Sequence, residues 1–381
     1  MRPTLSLAAH ATPRAGGQGV NLWQVLTGLS DAFQIEVYAA GPVPLGRGQV
    51  APPSRRASVL LQIPVARRRR DLASLWQEVD FDRWVSRRVG APALFHGATG
   101  QSLRTLRVVR ARGGRTVLDV VNLHADVEED AYRRECAAVG VRSPMHPQRA
   151  ERVRLEYREA DLIRVMSERA RRTFLERGMP HERLVVVAPH YDLAEFPGGP
   201  GSPGRFRISC VGAIEPWKGF RYLLDAYRKL ALRDAELVFW GGTTSRPVAR
   251  MLGAACSRDP TIAVRPVDVR VFGYDRVYGA SSILVHPSLT DGFAFVVAEA
   301  MASGIPVIVS DRTGAADLVE EGRTGFVVPA GDAGAIAERL EWAHAHDAVL
   351  REMGQRARAA VGALTLERFR STYVPRLEAL L

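Results

Sequence analysis

The run Asp291-Gly-Phe-Ala-Phe-Val-Val-Ala-Glu299 places two acids at the ends of a glycine-containing loop that turns into a helix. It follows a short apolar run ending in His286-Pro287-Ser288, which reads as a strand end. In a doubly wound domain, ligands collect at the carboxyl ends of strands. A helix beginning there offers unpartnered N–H groups and a partial positive charge, both suited to phosphate. Gly292, Phe293 and Ala294 stand where such N–H groups would be. Glu299, just inside the helix, suits the vicinal hydroxyls of a ribose, and Asp291 would face a sugar. A plain loop acid followed by an exposed helical acid is the alternative reading.

The elements that must position these residues follow from the alternation along the chain. Short β-branched runs alternate with amphipathic stretches, the pattern of βα units around a parallel sheet. Strands are expected at Thr4–Ala9, Ile35–Ala39, Ala93–His96, Thr116–Val121, Leu162–Met166 and Leu184–Val187. Gly16 to Gly19 reads as a glycine-rich turn and Val20–Leu29 as the helix after it. Pro197 to Gly204 is the densest cluster of helix and strand breakers, and reads as a linker. The alternation then restarts with strands at Arg207–Val211, Glu236–Trp240, Ile262–Arg265, Ser282–His286, Pro306–Ser310 and Gly325–Val328. The expected division is a Rossmann-like domain over 1–196, a linker over 197–204 and a second Rossmann-like domain over 205–363. A C-terminal helix over 364–381 could pack on either domain.

The segment Glu299-Ala-Met-Ala-Ser-Gly-Ile-Pro-Val-Ile-Val-Ser-Asp311 closely resembles the signature helix and following strand of glycosyltransferase family 4. Members of that family carry an acid, seven residues, then Glu-Ala. Val211-Gly-Ala-Ile-Glu-Pro-Trp-Lys-Gly219 resembles the loop that grips the donor diphosphate, with Lys218 aligned to the phosphate-binding lysine. Lys218 and Lys229 are the only lysines in a chain whose positive charge is otherwise arginine. Gly16-Gly17-Gln18-Gly19 is similar to the family's glycine-rich loop near donor phosphate and acceptor. His124, after the strand ending at Val121, resembles its active-site histidine. Phe95-His96-Gly97 resembles another strand-end element, with His96 structural or on the acceptor side. The segments Ala160 to Glu168 and Val185 to Asp192 fix the register of the comparison across nearly the whole chain.

The resemblance implies a GT-B fold, two Rossmann-like domains whose parallel sheets face a central cleft. It also implies a retaining glycosyltransferase that moves a sugar from a nucleotide-diphosphate sugar to a glycan, lipid-linked or small-molecule acceptor. His124 and Asp291 would act at the sugar. Gly17, Gly212, Lys218, Gly292, Phe293, Ala294, Phe295 and Glu299 would hold the donor. No metal and no cofactor beyond the donor substrate are expected. Two departures stand out: Ala213 where the family has arginine, with Arg221 or Arg246 as substitutes, and Asp291 where glutamate is commoner. A catalytically inactive GT-B-like binding subunit and a dinucleotide-dependent oxidoreductase are the alternatives. The latter has only part of its glycine fingerprint in Gly17 and Gly19.

Composition bounds the rest. The net charge is +11 over 381 residues. Residues 1–196 hold about 30 arginines against about 21 acids. Such a face could meet an anionic membrane surface or an anionic acceptor; nucleic acid is not expected as a partner. The run Arg67 to Arg70, with Arg55 and Arg56 upstream, reads either as a membrane-surface patch or as a solvated loop. Cys136, Cys210 and Cys256 show neither a disulfide framework nor metal spacing. The N-terminal apolar run is too short for a signal peptide, and no stretch approaches the ~20 apolar residues of a spanning helix. The expected location is cytoplasmic, with peripheral contact at the inner membrane face.

Overall fold

The computed structural model describes residues 2–45, 47–63, 69–196, 204–230, 232–243, 245–266 and 273–381, without the side chain of Asp275. The expected linker at 197–204 lies outside these except for Gly204, as do Arg67 and Arg68 of the arginine run. The chain divides into two units. The first comprises Met1–Glu129, Ser143–His190 and Leu366–Leu381; the second comprises Asp130–Arg142 and Tyr191–Thr365.

In the first unit, seven strands form a parallel sheet in the order β3-β2-β1-β4-β5-β6-β7. These are β1 (Thr4–Ala9), β2 (Gln34–Ala39), β3 (Arg47–Val50), β4 (Leu94–Ala98), β5 (Arg115–Val120), β6 (Leu162–Val165) and β7 (Leu184–Val186). The central strands are buried on both faces and mainly apolar, because helices cover both sides of a parallel sheet. One face packs Phe95, Leu118 and Ile163 with Tyr157 and Phe174, and the other packs Leu5, Leu7 and Val117 with Leu22, Leu26 and Phe369.

Two local features differ from expectation. Gly16 to Gly19 is not a turn: the helix spans Gly16–Leu29 and the reversal lies earlier, where Ala15 N–H donates to the Thr12 carbonyl at 2.9 Å. The first helical N–H groups need no intrahelical partner, so glycines are tolerated there. Gly19 is required for closeness, since a Cβ on it would lie 2.0 Å from the Thr12 oxygen. Strand β3 was not expected. Its Arg-Gly-Gln-Val sequence has no apolar alternation, and it pairs with β2 alone at the edge of the sheet.

The helix Leu366–Glu378 belongs to the first unit. Phe369 fills the space left by Gly28, and Tyr373 Oη lies 2.7 Å from His96 Nε2. Asp130–Arg142, expected in the first domain, groups with the second unit. There the buried Glu135 carboxylate accepts from Arg221 at 2.8 Å and from Tyr222 Oη at 3.2 Å, and Tyr132 meets the Trp217 ring edge-on. These partners keep Glu135 in an apolar setting without an unpaired charge.

The second unit holds six parallel strands in the order β10-β9-β8-β11-β12-β13. They are β8 (Phe206–Val211), β9 (Ala235–Trp240), β10 (Ile262–Arg265), β11 (Ile283–His286), β12 (Val307–Ser310) and β13 (Gly325–Val328). Each sheet reverses its order once, between β1 and β4 in the first and between β8 and β11 in the second. Ligand crevices of doubly wound sheets form at such reversals.

Candidate functional site

The reversal in the second unit brings together the two motifs that the sequence keeps more than seventy positions apart. After β8 the chain passes Gly212, Ala213 and Ile214 into a single 3₁₀ turn, Pro216–Lys218, which Gly219 ends in the left-handed region at φ 74°. A Cβ on Gly219 would lie 2.0 Å from the Pro287 carbonyl oxygen. Glycine therefore lets this turn lie directly on the end of β11. Leu289 N–H donates to the Trp217 carbonyl at 2.8 Å and ties the two segments together.

This contact sets Lys218 Nζ 2.5 Å from Asp291 Oδ2. The same oxygen lies 3.1 Å from His286 Nε2, and Oδ1 accepts weakly from the Phe293 N–H at 3.3 Å. Burial by itself would raise the Asp291 pKa, but the Lys218 charge and the His286 hydrogen bond outweigh it and hold the carboxyl well below the usual range. Burial lowers the pKa of His286 against the pull of Asp291. At neutral pH the site thus contains a carboxylate beside a neutral imidazole.

The loop after Asp291 is fixed by its own backbone. Gly314 N–H donates to the Asp291 carbonyl at 2.9 Å and Ala315 N–H to the Phe293 carbonyl at 2.7 Å. Ala294, at φ 67°, precedes the helix Phe295–Ala302, and no side chain among the described residues caps that helix. Of its first N–H groups that of Val297 donates to the Ala294 carbonyl at 3.0 Å, and the helix start carries a partial positive charge suited to an anion. One turn further, half-buried Glu299 accepts from the Tyr278 hydroxyl at 2.7 Å. Burial raises the Glu299 pKa, and the Tyr278 hydrogen bond opposes that rise. Gly212, Lys218, Asp291, Gly292, Phe293, Ala294, Phe295 and Glu299 thus all lie in the second unit around the ends of β8 and β11.

The remaining expected residues lie in the first unit. His124 opens the helix Ala125–Ala138 and is buried between Tyr157 and Phe174, with ring centroids 5.1 Å and 4.9 Å away. Its Nδ1 accepts from the Asp126 N–H at 3.2 Å. Burial pushes its pKa down to about 4, against the attraction of Asp126 and with help from Arg177 and Arg154. Gly17 is exposed in the first turn of Gly16–Leu29. His96 is fully buried in β4 and lines a cavity of about 30 Å³ at the ends of β1, β4 and β5, with Asn21, Thr99, Asp119 and Asn122.

Of the two arginines offered in place of the one missing at Ala213, Arg221 is committed to Glu135, and Arg246 is exposed at the first position of the helix Arg246–Arg258. His286 and Tyr278 were not singled out from the sequence. His286 could have been found, since it ends the strand that feeds the Asp291 loop. Tyr278 could not, because nothing local connects it with Glu299. Among the described residues no group of three or more His, Cys, Asp or Glu side chains is arranged to hold a metal ion.

Residues 205–346 match the family model described as Glycosyl transferases group 1. A relative from Nocardia farcinica named D-inositol 3-phosphate glycosyltransferase is 31% identical over 227 residues, which cover 52% of this chain and 48% of that protein. The chain thus matches about half the length of that curated relative. The structure of Anabaena Alr3699/HepE in complex with UDP-glucose superposes with a TM-score of 0.73 at 15% identity, covering 99% of this chain and all of that one. Sucrose-phosphate synthase from Thermosynechococcus elongatus gives 0.73 at 20% identity, covering all of this chain and 99% of its own. Both share the fold of two parallel α/β sheets. The motifs gathered at β8 and β11 thus lie in a segment, 205–346, that matches the group 1 glycosyl transferases, and the chain has the GT-B fold.

Proposed function

We propose that the protein is a retaining glycosyltransferase that moves a sugar from a nucleotide-diphosphate sugar to a glycan, lipid-linked or small-molecule acceptor, with no metal or other cofactor. The observation that carries this reading is the seating of Lys218 on Asp291 beside the uncapped start of Phe295–Ala302. Glycosyl transfer develops negative charge on the leaving diphosphate, and a fixed cation with aligned N–H groups stabilises it. The UDP-glucose bound by the Anabaena protein supports the donor class, and the name of the Nocardia relative supports glycosyl transfer.

In this reading the diphosphate draws Lys218 away from Asp291, which frees an oxygen of Asp291 for a sugar hydroxyl. Glu299 takes the ribose hydroxyls, and His124, neutral at physiological pH, supports the sugar and its developing charge. Gly17 and Gly212 allow close approach of backbone to donor. The reaction is cytoplasmic, at the inner face of a membrane whose anionic surface attracts the basic first unit. Among the described residues no helix is long and apolar enough to cross a membrane.

A thermal-shift screen of UDP, GDP, ADP and dTDP sugars tests the donor site, because a ligand that binds only the native state raises apparent stability. One donor should stabilise the protein, and Lys218→Ala and Glu299→Ala should each abolish the shift. No shift with any donor would overturn the reading. A second reading, a GT-B-like subunit that binds without turnover, draws on Ala213 and on the commitment of Arg221 to Glu135. It requires a donor shift without either transfer or hydrolysis.

A further inference from the structure

From Val37 to Arg70 the sequence contains seven arginines and no acidic residue. The same stretch exposes Leu45, Val50, Val59, Leu61 and Ile63, five of the nine large apolar side chains that stand exposed among the described residues. Two independent properties therefore concentrate in one part of the first unit, an unbalanced positive charge and apolar surface left in water.

The helix Arg55–Gln62 shows how they combine. Ser54 caps it by accepting from the Ala57 N–H at 3.2 Å. It buries Ala57 and part of Leu60, and leaves Arg55, Val59 and Gln62 exposed along one face, with Leu61 and the following Ile63 exposed at its C-terminal end. Arg56 is engaged by Asp80 and Arg69 by Asp71. Arg47, Arg55 and Arg70 have no ion-pair partner among the described residues. Exposed aliphatic side chains among uncompensated arginines suit an interface that is apolar below and anionic above. A polyanion such as nucleic acid would satisfy the arginines but leave Val59, Leu61 and Ile63 in water.

We infer that the helix Arg55–Gln62, with Arg47 and Arg70 beside it in sequence, is a docking surface for an anionic lipid bilayer, into which Val59, Leu61 and Ile63 insert. This deepens the proposed membrane contact and rests on that part of the functional reading alone. Donor binding, measured without vesicles, can fail or succeed separately.

The test is co-sedimentation of the full chain with phosphatidylcholine vesicles and with phosphatidylcholine–phosphatidylglycerol vesicles, in low and high salt. Binding is expected only with the anionic vesicles and should fall with salt as the charges are screened. An arginine near an anionic surface is worth roughly five-fold in partition, so Arg55→Glu should weaken binding by more than that. The triple variant Val59→Ser, Leu61→Ser, Ile63→Ser keeps every arginine and should lose binding as well. All four positions are solvent-facing, and an unchanged thermal melt will confirm that the variants fold. Equal binding to neutral vesicles, no binding to anionic ones, full binding by the triple variant, or a preference for single-stranded RNA over vesicles would each overturn the inference.

Discussion

Lys218 Nζ sits 2.5 Å from Asp291 Oδ2, joining two residues that lie 73 positions apart on separate strand ends. The ion pair is partly buried, with 28% of the lysine side chain and 12% of the aspartate exposed. Each member depends on the other in the donor-free protein, and their substitutions should differ in kind.

Lys218→Ala removes the cation proposed for the diphosphate, and turnover should fall about 100- to 1,000-fold, the range seen when one such electrostatic contact is lost. Asp291→Asn leaves the cation but loosens its seat. It should leave donor affinity close to that of the parent while lowering kcat. Steady-state kinetics of the two variants would separate these roles, and equal losses in kcat/KM and in donor affinity for both would refute the distinction.

Gly219→Ala should cost about 3 kcal/mol or more, since it adds left-handed backbone strain to a clash with the Pro287 carbonyl. Gly242→Ala is the control, because a Cβ there meets nothing within 4 Å. Thermal melts of the two proteins should differ clearly. A Gly219 variant as stable as the control would show that the turn does not lie on β11.

Tyr278→Phe keeps the ring and removes the hydrogen bond to Glu299. Its pKa should rise further, and donor affinity should weaken about tenfold, in line with a lost hydrogen bond to a charged group. Isothermal titration with the selected donor would measure the change. An unchanged dissociation constant would make Tyr278 a packing residue only.

His96 gives a pH-dependent contribution whose sign is fixed. Burial lowers its folded pKa to about 4, against pulls from Asp119, whereas an unfolded histidine titrates near ~6.5. A lowered histidine pKa stabilises the fold above the unfolded value, and that stability is lost as pH falls from ~6.5 through 4. The full amount is about 3 kcal/mol. His124, with a folded pKa also near 4, adds to the same window. Urea midpoints measured across this range should fall steeply for the parent and less steeply for His96→Gln. Parallel curves would mean that the His96 pocket admits water or a proton acceptor.

The sequence by itself determined the local framework. Twelve of the strands were legible because buried parallel strands are apolar runs whose hydrogen bonding needs no special residue, and the family motifs named Lys218, Asp291 and Glu299 without a structure. It failed where local signals were weak or misleading: β3 is polar and held by one neighbour, and the glycines at 16 to 19 serve a close approach inside a helix rather than a turn. The partnerships were left to the tertiary structure. Whether Lys218 meets Asp291, whether His286 and Tyr278 support the acids, and which unit receives Asp130–Arg142 and Leu366–Leu381 depend on contacts between positions far apart in the chain. Such contacts leave no periodic trace, because they arise only when strand order in the sheet brings distant loop ends together.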